Sequence, residues 1–170
     1  MSPQLQSSSF QTVETDFFPP GPNPLLNGQV TDLKVLDPTE LNAAGTPEVT
    51  SLLEVDDEFD VQVSWQLTGA NTTVTGGFWV VSLYSDDMDG VGGMTGLIGG
   101  PAIIPIVPGV GPLTFQNTFQ VLPPTPQVGL YKLVVTISHS PTGDPNLLTE
   151  MFGFAEATPI NIRQTVVETT

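Results

Sequence analysis

The chain has 170 residues, no cysteine, and 18 acidic residues against only Lys34, Lys132 and Arg163, giving a formal net charge of −15. That length suits one domain with a sizeable core, and the missing cysteines exclude disulfides, thiol catalysis and thiolate metal sites within this chain. Three scattered bases cannot build a phosphate-binding patch, so neither nucleic acid nor an anionic membrane surface is an expected partner.

Met1 to Asn27 is rich in Ser, Gln and Pro and carries "FFPPGPNP" near its end. Prolines block helix and strand continuation, so residues 1–27 are expected to form an extended arm, with residues 28–170 as the domain. Phe17 and Phe18 give the arm an apolar grip, either on this chain's own core or on a neighbouring subunit. No basic segment followed by an apolar core opens the chain. A Sec signal peptide is therefore not expected, and the cytoplasm is the default location.

Beyond the arm the period is two. "QVTDLKVL" is a short strand candidate. "FDVQVSWQLTG" alternates cleanly, with Phe59, Val61, Val63, Trp65 and Leu67 on one face and Asp60, Gln62, Ser64, Gln66 and Thr68 on the other. That is the pattern of a half-buried antiparallel strand. "GGFWVVSLYS" is apolar on both faces, as a central strand would be. "AIIPIV" is a further short candidate. "LTFQNTFQV" turns Leu113, Phe115, Phe119 and Val121 inward, and "VGLYKLVVTISHS" aligns Tyr131, Leu133, Val135 and Ile137. "EMFGFAEATPINI" supplies the last candidates. No window carries a capped helical stripe. About seven strands separated by Gly, Pro and Asn turns predict an all-β fold, a single antiparallel β-sandwich. Its expected core is Phe59, Val61, Val63, Trp65, Val81, Leu83, Phe115, Phe119, Tyr131, Leu133 and Val135.

"VQVSW", then "FWVVSLY", then "PPTPQVGLYKLVVTISHS" resembles the B, C and F strands of fibronectin type III and other immunoglobulin-like domains, over Glu54 to Arg163. The resemblance implies that Trp65 is the core tryptophan of strand B. It also implies that Tyr131 forms a tyrosine corner, its hydroxyl bonded to upstream backbone. The chain departs from the pattern in lacking the antibody-type cysteines and in a long Gly/Pro insertion before Leu113. The architecture recurs across unrelated functions, so no activity comes with it.

The stretch "LYSDDMDGVGG" raises the question of a metal. If the two long strands around it run antiparallel, Asp56 and Asp57 lie at the same end of the sandwich as Asp86, Asp87 and Asp89. Calcium takes six to eight oxygen ligands from flexible loops, so these five acids are the candidate cation site. The EF-hand spacing is absent, and Asp and Gly are ordinary turn formers, so the competing reading is a solvated turn. No other cofactor is expected.

Catalytic chemistry has little footing. His139 is the single histidine, and its strand neighbours Ser138 and Ser140 point to the opposite face, away from a common triad. "GVGGMTGLIGG" lacks the Lys-Ser/Thr ending of a phosphate loop. More distinctive is the run from Gly90 to Tyr131, which contains no charged residue. Within it residues 90–112 form a neutral Gly/Pro-rich insertion, broken too often by proline to span a membrane as a helix. Charge depletion marks interface cores, so Met94, Leu97, Ile98, Ile103, Ile104, Ile106 and Val107 join Phe17 and Phe18 as candidate contact residues. The expectation is a non-enzymatic structural or interaction module that packs into a homo-oligomer or larger assembly. The alternative is a carbohydrate-binding or other ligand-binding sandwich, for which Trp79 and Tyr84 are the available aromatic platforms and calcium at the acidic end the accompanying ion.

Overall fold

The computed structural model describes residues 6–7, 9–11, 25–90, 93–149 and 151–165. In chain order its strands are β1 (Gln6–Ser7), β2 (Ser9–Gln11), β3 (Asn27–Leu41), β4 (Pro47–Val49), β5 (Leu52–Glu54), β6 (Phe59–Thr68), β7 (Phe78–Asp87), β8 (Gly96–Pro105), β9 (Leu113–Val121), β10 (Gly129–Ser140), β11 (Phe152–Glu156) and β12 (Ile160–Arg163), with a 3₁₀ turn at Ala70–Thr73. They form a two-sheet sandwich. The seven-stranded sheet runs β8-β7-β10, and β10 then pairs along its other edge with β11 and β12, which carry β1 and β5 respectively. The five-stranded sheet runs β9-β6-β3, with β2 and β4 on the far edge of β3. Pairing is antiparallel except between β12 and β5, where Asn161 lies beside Leu52 in parallel.

The clean alternation of β6 has the simple outcome: Phe59, Val61, Val63, Trp65 and Leu67 are all buried, and the residues between them are half-exposed. β3 explains why "QVTDLKVL" carries no clear period. Its buried set changes phase, from Leu26, Gly28 and Val30 to Leu33, Val35 and Asp37. The pairing to β6 steps from Val30–Trp65 to Asp32–Ser64, leaving Thr31 as the extra residue of a β-bulge. One inserted residue moves every later side chain to the other face, and the bulge restores the apolar set to the core.

The two sheets meet over an aromatic cluster. Trp65 of β6 stacks on Phe115 of β9 at 5.7 Å between ring centroids and meets Trp79 of β7 edge-on at 6.3 Å. Of the expected core, all are buried except Phe115, which is partly buried on the flank of β9. The Tyr131 hydroxyl donates to the carbonyl of Val128 at 3.1 Å and accepts from the Met94 amide at 3.4 Å. It thereby ties the entry of β10 and the β7–β8 connection to one buried ring.

The segment expected as an extended arm contributes two short strands to its own domain. Gln6 and Ser7 pair with Glu156 and Ala155, and Ser9 to Gln11 pair with Gln29 to Asn27. Phe17 and Phe18 lie outside the described residues.

Candidate functional site

The five candidate cation ligands share one end of the sandwich but fall into two groups. Asp86 and Asp87 end β7, and Asp87 faces Tyr131 of β10. Asp87 closes a turn there, its Oδ1 accepting from the amides of Asp89 at 3.2 Å and Gly90 at 3.1 Å. Asp56 and Asp57 follow β5, and between β5 and β7 stand β12 and β10. Three strand spacings amount to about 14 Å, far beyond the 2.3–2.6 Å bonds of one calcium ion. Among the described residues no three acidic or histidine side chains are arranged to hold a metal.

The acids that do gather are ones the sequence reading did not group. Asp37, Glu40, Glu54 and Asp57 line a surface hollow of about 150 Å³ together with Thr50, Leu52 and Arg163. Burial, and then the neighbouring Asp37, Glu54 and Asp56, push the Asp57 carboxyl above its ordinary value of 3.8. Arg163 answers part of this charge through Glu54 at 3.4 Å. Asp37 is committed locally, its Oδ1 accepting from the Thr39 amide at 2.9 Å and the Thr39 hydroxyl at 2.6 Å. Sequence distance hid the group, because β3, β5 and β12 bring it together. The other two cations are also paired, Lys34 with Asp32 at 3.1 Å and Lys132 with Glu156 at 2.9 Å. Among the described residues each Lys and Arg thus has a carboxylate partner.

His139 is a tie between loops. Its Nε2 lies 2.8 Å from the Gly76 carbonyl and its Nδ1 3.0 Å from the Thr149 hydroxyl. A carbonyl can only accept, so Nε2 carries a proton, and Nδ1 pairs with the Thr149 hydroxyl. Ser140 bonds instead to Asp144 O and Gly143 N. These contacts do not join a hydroxyl, His139 and a carboxylate into a triad.

The neutral insertion forms β8, an edge strand along β7. Two register shifts, between Val81 and Leu83 and between Leu83 and Tyr84, divide its side chains between the two faces. Gly99 and Gly100 lie where a Cβ would come within 2.9 Å of the Phe119 ring and 2.6 Å of the Val81 carbonyl, so only glycine lets β8 sit this close to β9 and β7. Among the candidate contact residues, Met94 and Ile106 are buried in this chain's own core, and Ile98 and Ile104 pack partly against it. Leu97, Ile103 and Val107 are exposed.

Leu97 and Ile103 stand on the outer face of the seven-stranded sheet, where they have company. Leu97 is beside Tyr84, and Ile103 is beside Val80. Across β10, Thr136 faces Phe154 and Ser138 faces Phe152. β11 places its phenylalanines outward, 62% and 41% exposed for Phe152 and Phe154, and turns Gly153 and Ala155 to the core. Trp79, the first aromatic platform considered for a sugar, is fully buried. Among the described residues no helix is long and apolar enough to cross a membrane.

No family model matches the chain, and no curated protein matches it. One solved structure to which it is similar is a beta-glucosidase from Listeria innocua in complex with glucose, at a TM-score of 0.42 and 10% identity over 84% of this chain. The chain spans 16% of that protein's length. A likeness of that size bears on neither ancestry nor activity.

Proposed function

We propose that this chain is a structural, non-enzymatic interaction module that packs into a homo-oligomer or larger assembly, with the outer face of the seven-stranded sheet as a contact surface. The observation that carries the reading is the inverted strand β11. A solvated sheet face ordinarily carries polar side chains and leaves the apolar ones to the core. Here Phe152 and Phe154 point away from the core while Gly153 and Ala155 point into it. Tyr84, Leu97 and Ile103, each at least 40% exposed, stand on the same face, with Ser138, Thr136 and the Lys132–Glu156 pair of the intervening and neighbouring positions among them. Exposed apolar groups of this kind are seldom left open to water, and burying the exposed part of each large side chain contributes on the order of 1 kcal/mol toward association.

This reading keeps part of the neutral insertion as contact material, the outward Leu97 and Ile103, and adds strand β11. The test is light scattering on the wild type and on Phe152→Ser/Ile103→Ser, whose substitutions lie outside the core. The wild type is expected to weigh more than the 18.0 kDa monomer, and the variant to lose mass at equal concentration. A wild type that stays at monomer mass would end the reading.

A further inference from the structure

We infer that β9 is a second contact element, the open edge along which two copies of this chain join their five-stranded sheets antiparallel about Asn117. The inference rests on the assembly reading and names one partner and one geometry for it.

A sheet edge presents unpaired N–H and C=O groups, and proteins blunt such edges with proline, charge, bulges or brevity. The other edges of this sandwich follow that rule. β8 carries Pro101 and Pro105 and two register shifts, and β1, β2, β4 and β5 have two or three residues each. β9 does not follow it. Its nine residues pair with β6 in unbroken register from Leu113–Leu67 to Val121–Phe59, and it has no proline, no charge and no bulge. Among the described residues no other strand is hydrogen bonded to its far edge.

The composition of β9 favours a second copy as the occupant. A two-fold axis at Asn117 sets Gln116 against Thr118 and Thr114 against Gln120 on the outer face. On the inner face it sets Phe115 against Phe119 and Leu113 against Val121. Polar residues meet polar residues and apolar meet apolar, the kind of cross-strand pairs that stabilise sheets. Phe115 and Leu113 are only partly buried in the single chain, and the added strand would cover their open flank. Electrostatics point the same way. Two copies of net charge −15 repel, and β9 lies inside the run from Gly90 to Tyr131 that has no charge.

The experiment uses the Phe152→Ser/Ile103→Ser background, in which the edge is the remaining contact, and reads the dimer dissociation constant by sedimentation velocity. Gln116 and Thr118 are exposed, so unchanged circular dichroism and urea midpoint are required of each variant. Adding Gln116→Glu/Thr118→Glu opposes four carboxylates across the axis and is expected to weaken dimerisation about tenfold or more. Adding Gln116→Lys/Thr118→Glu sets Lys against Glu across the same axis and is expected to hold the constant within about threefold of the background. If the background variant is already a monomer while the wild type assembles, the edge proposal fails and the assembly reading stands. If the wild type is itself a monomer, both fail. If the two charged variants behave alike, the antiparallel register about Asn117 is wrong.

Discussion

Trp65, Tyr131 and Asp57 illustrate three different ways in which one side chain affects this sandwich. Trp65 is buried between Phe115 and Trp79, and its Nε1 has no hydrogen-bond partner. Its contribution is therefore packing, and Trp65→Ala should cost about 3–5 kcal/mol in a urea titration. A loss below about 1 kcal/mol would contradict that packing role. Tyr131 adds a polar tie to its packing, so Tyr131→Phe should lose about 1 kcal/mol through the Val128 and Met94 bonds alone. Asp57 works against the fold at neutral pH. Burial raises its carboxyl above 3.8, and that of Asp60 likewise, with like-charged neighbours adding to both shifts. A raised folded-state value means stability that is fully present below 3.8 and lost as pH rises through the shifted value. Stability is thus expected to increase on acidification from pH 7 toward about 4, and Asp57→Asn should flatten that rise. A urea midpoint that falls steadily over the same interval would show other carboxylates dominating.

At the scale of elements, legibility in the sequence tracked the regularity of the backbone. β6 alternates throughout and β10 as far as Ser138, and over those spans their faces could be assigned residue by residue. β3 could not be phased because Thr31 is inserted between two correctly alternating halves. β8 defeats phasing twice, since its register shifts place Leu97 and Ile103 outward but Ile98 and Ile104 toward the core. Stability measurements should separate that pair. Ile104→Asp should lose several kcal/mol, on the order of a buried unpaired charge relieved by partial exposure, whereas Ile103→Asp should lose only about 1 kcal/mol, the cost of an aspartate in a half-exposed strand position. Equal losses would mean the strand is phased differently. The inverted β11 was hidden for another reason. Hydropathy says which residues prefer burial, and only the β10 register says that Phe152 and Phe154 stand on the outer face of the sheet. The acidic hollow was hidden too, because its members meet through β3, β5 and β12.

For the whole molecule, the division of its surface carries the argument. Charge is thin and almost all negative, and each Lys and Arg pairs with a neighbouring acid; the β9 edge carries no charge, and on the outer face the exposed apolar side chains lie beside the single Lys132–Glu156 pair. In the proposed assembly the acids would hold copies apart and contact would fall on these two surfaces, so assembly should strengthen with added salt, because screening relieves repulsion between copies. Mass by light scattering at about 0.05 M and about 0.5 M sodium chloride checks this, and a loss of mass at high salt would instead indicate contacts held by ion pairs. The most direct test is sedimentation velocity of the unmodified chain across a concentration series, once in EDTA and once with calcium. A species well above 18.0 kDa that grows with concentration and is the same in both conditions is the predicted result. A monomer at every concentration, or association that appears only with calcium, would contradict assembly through these two surfaces.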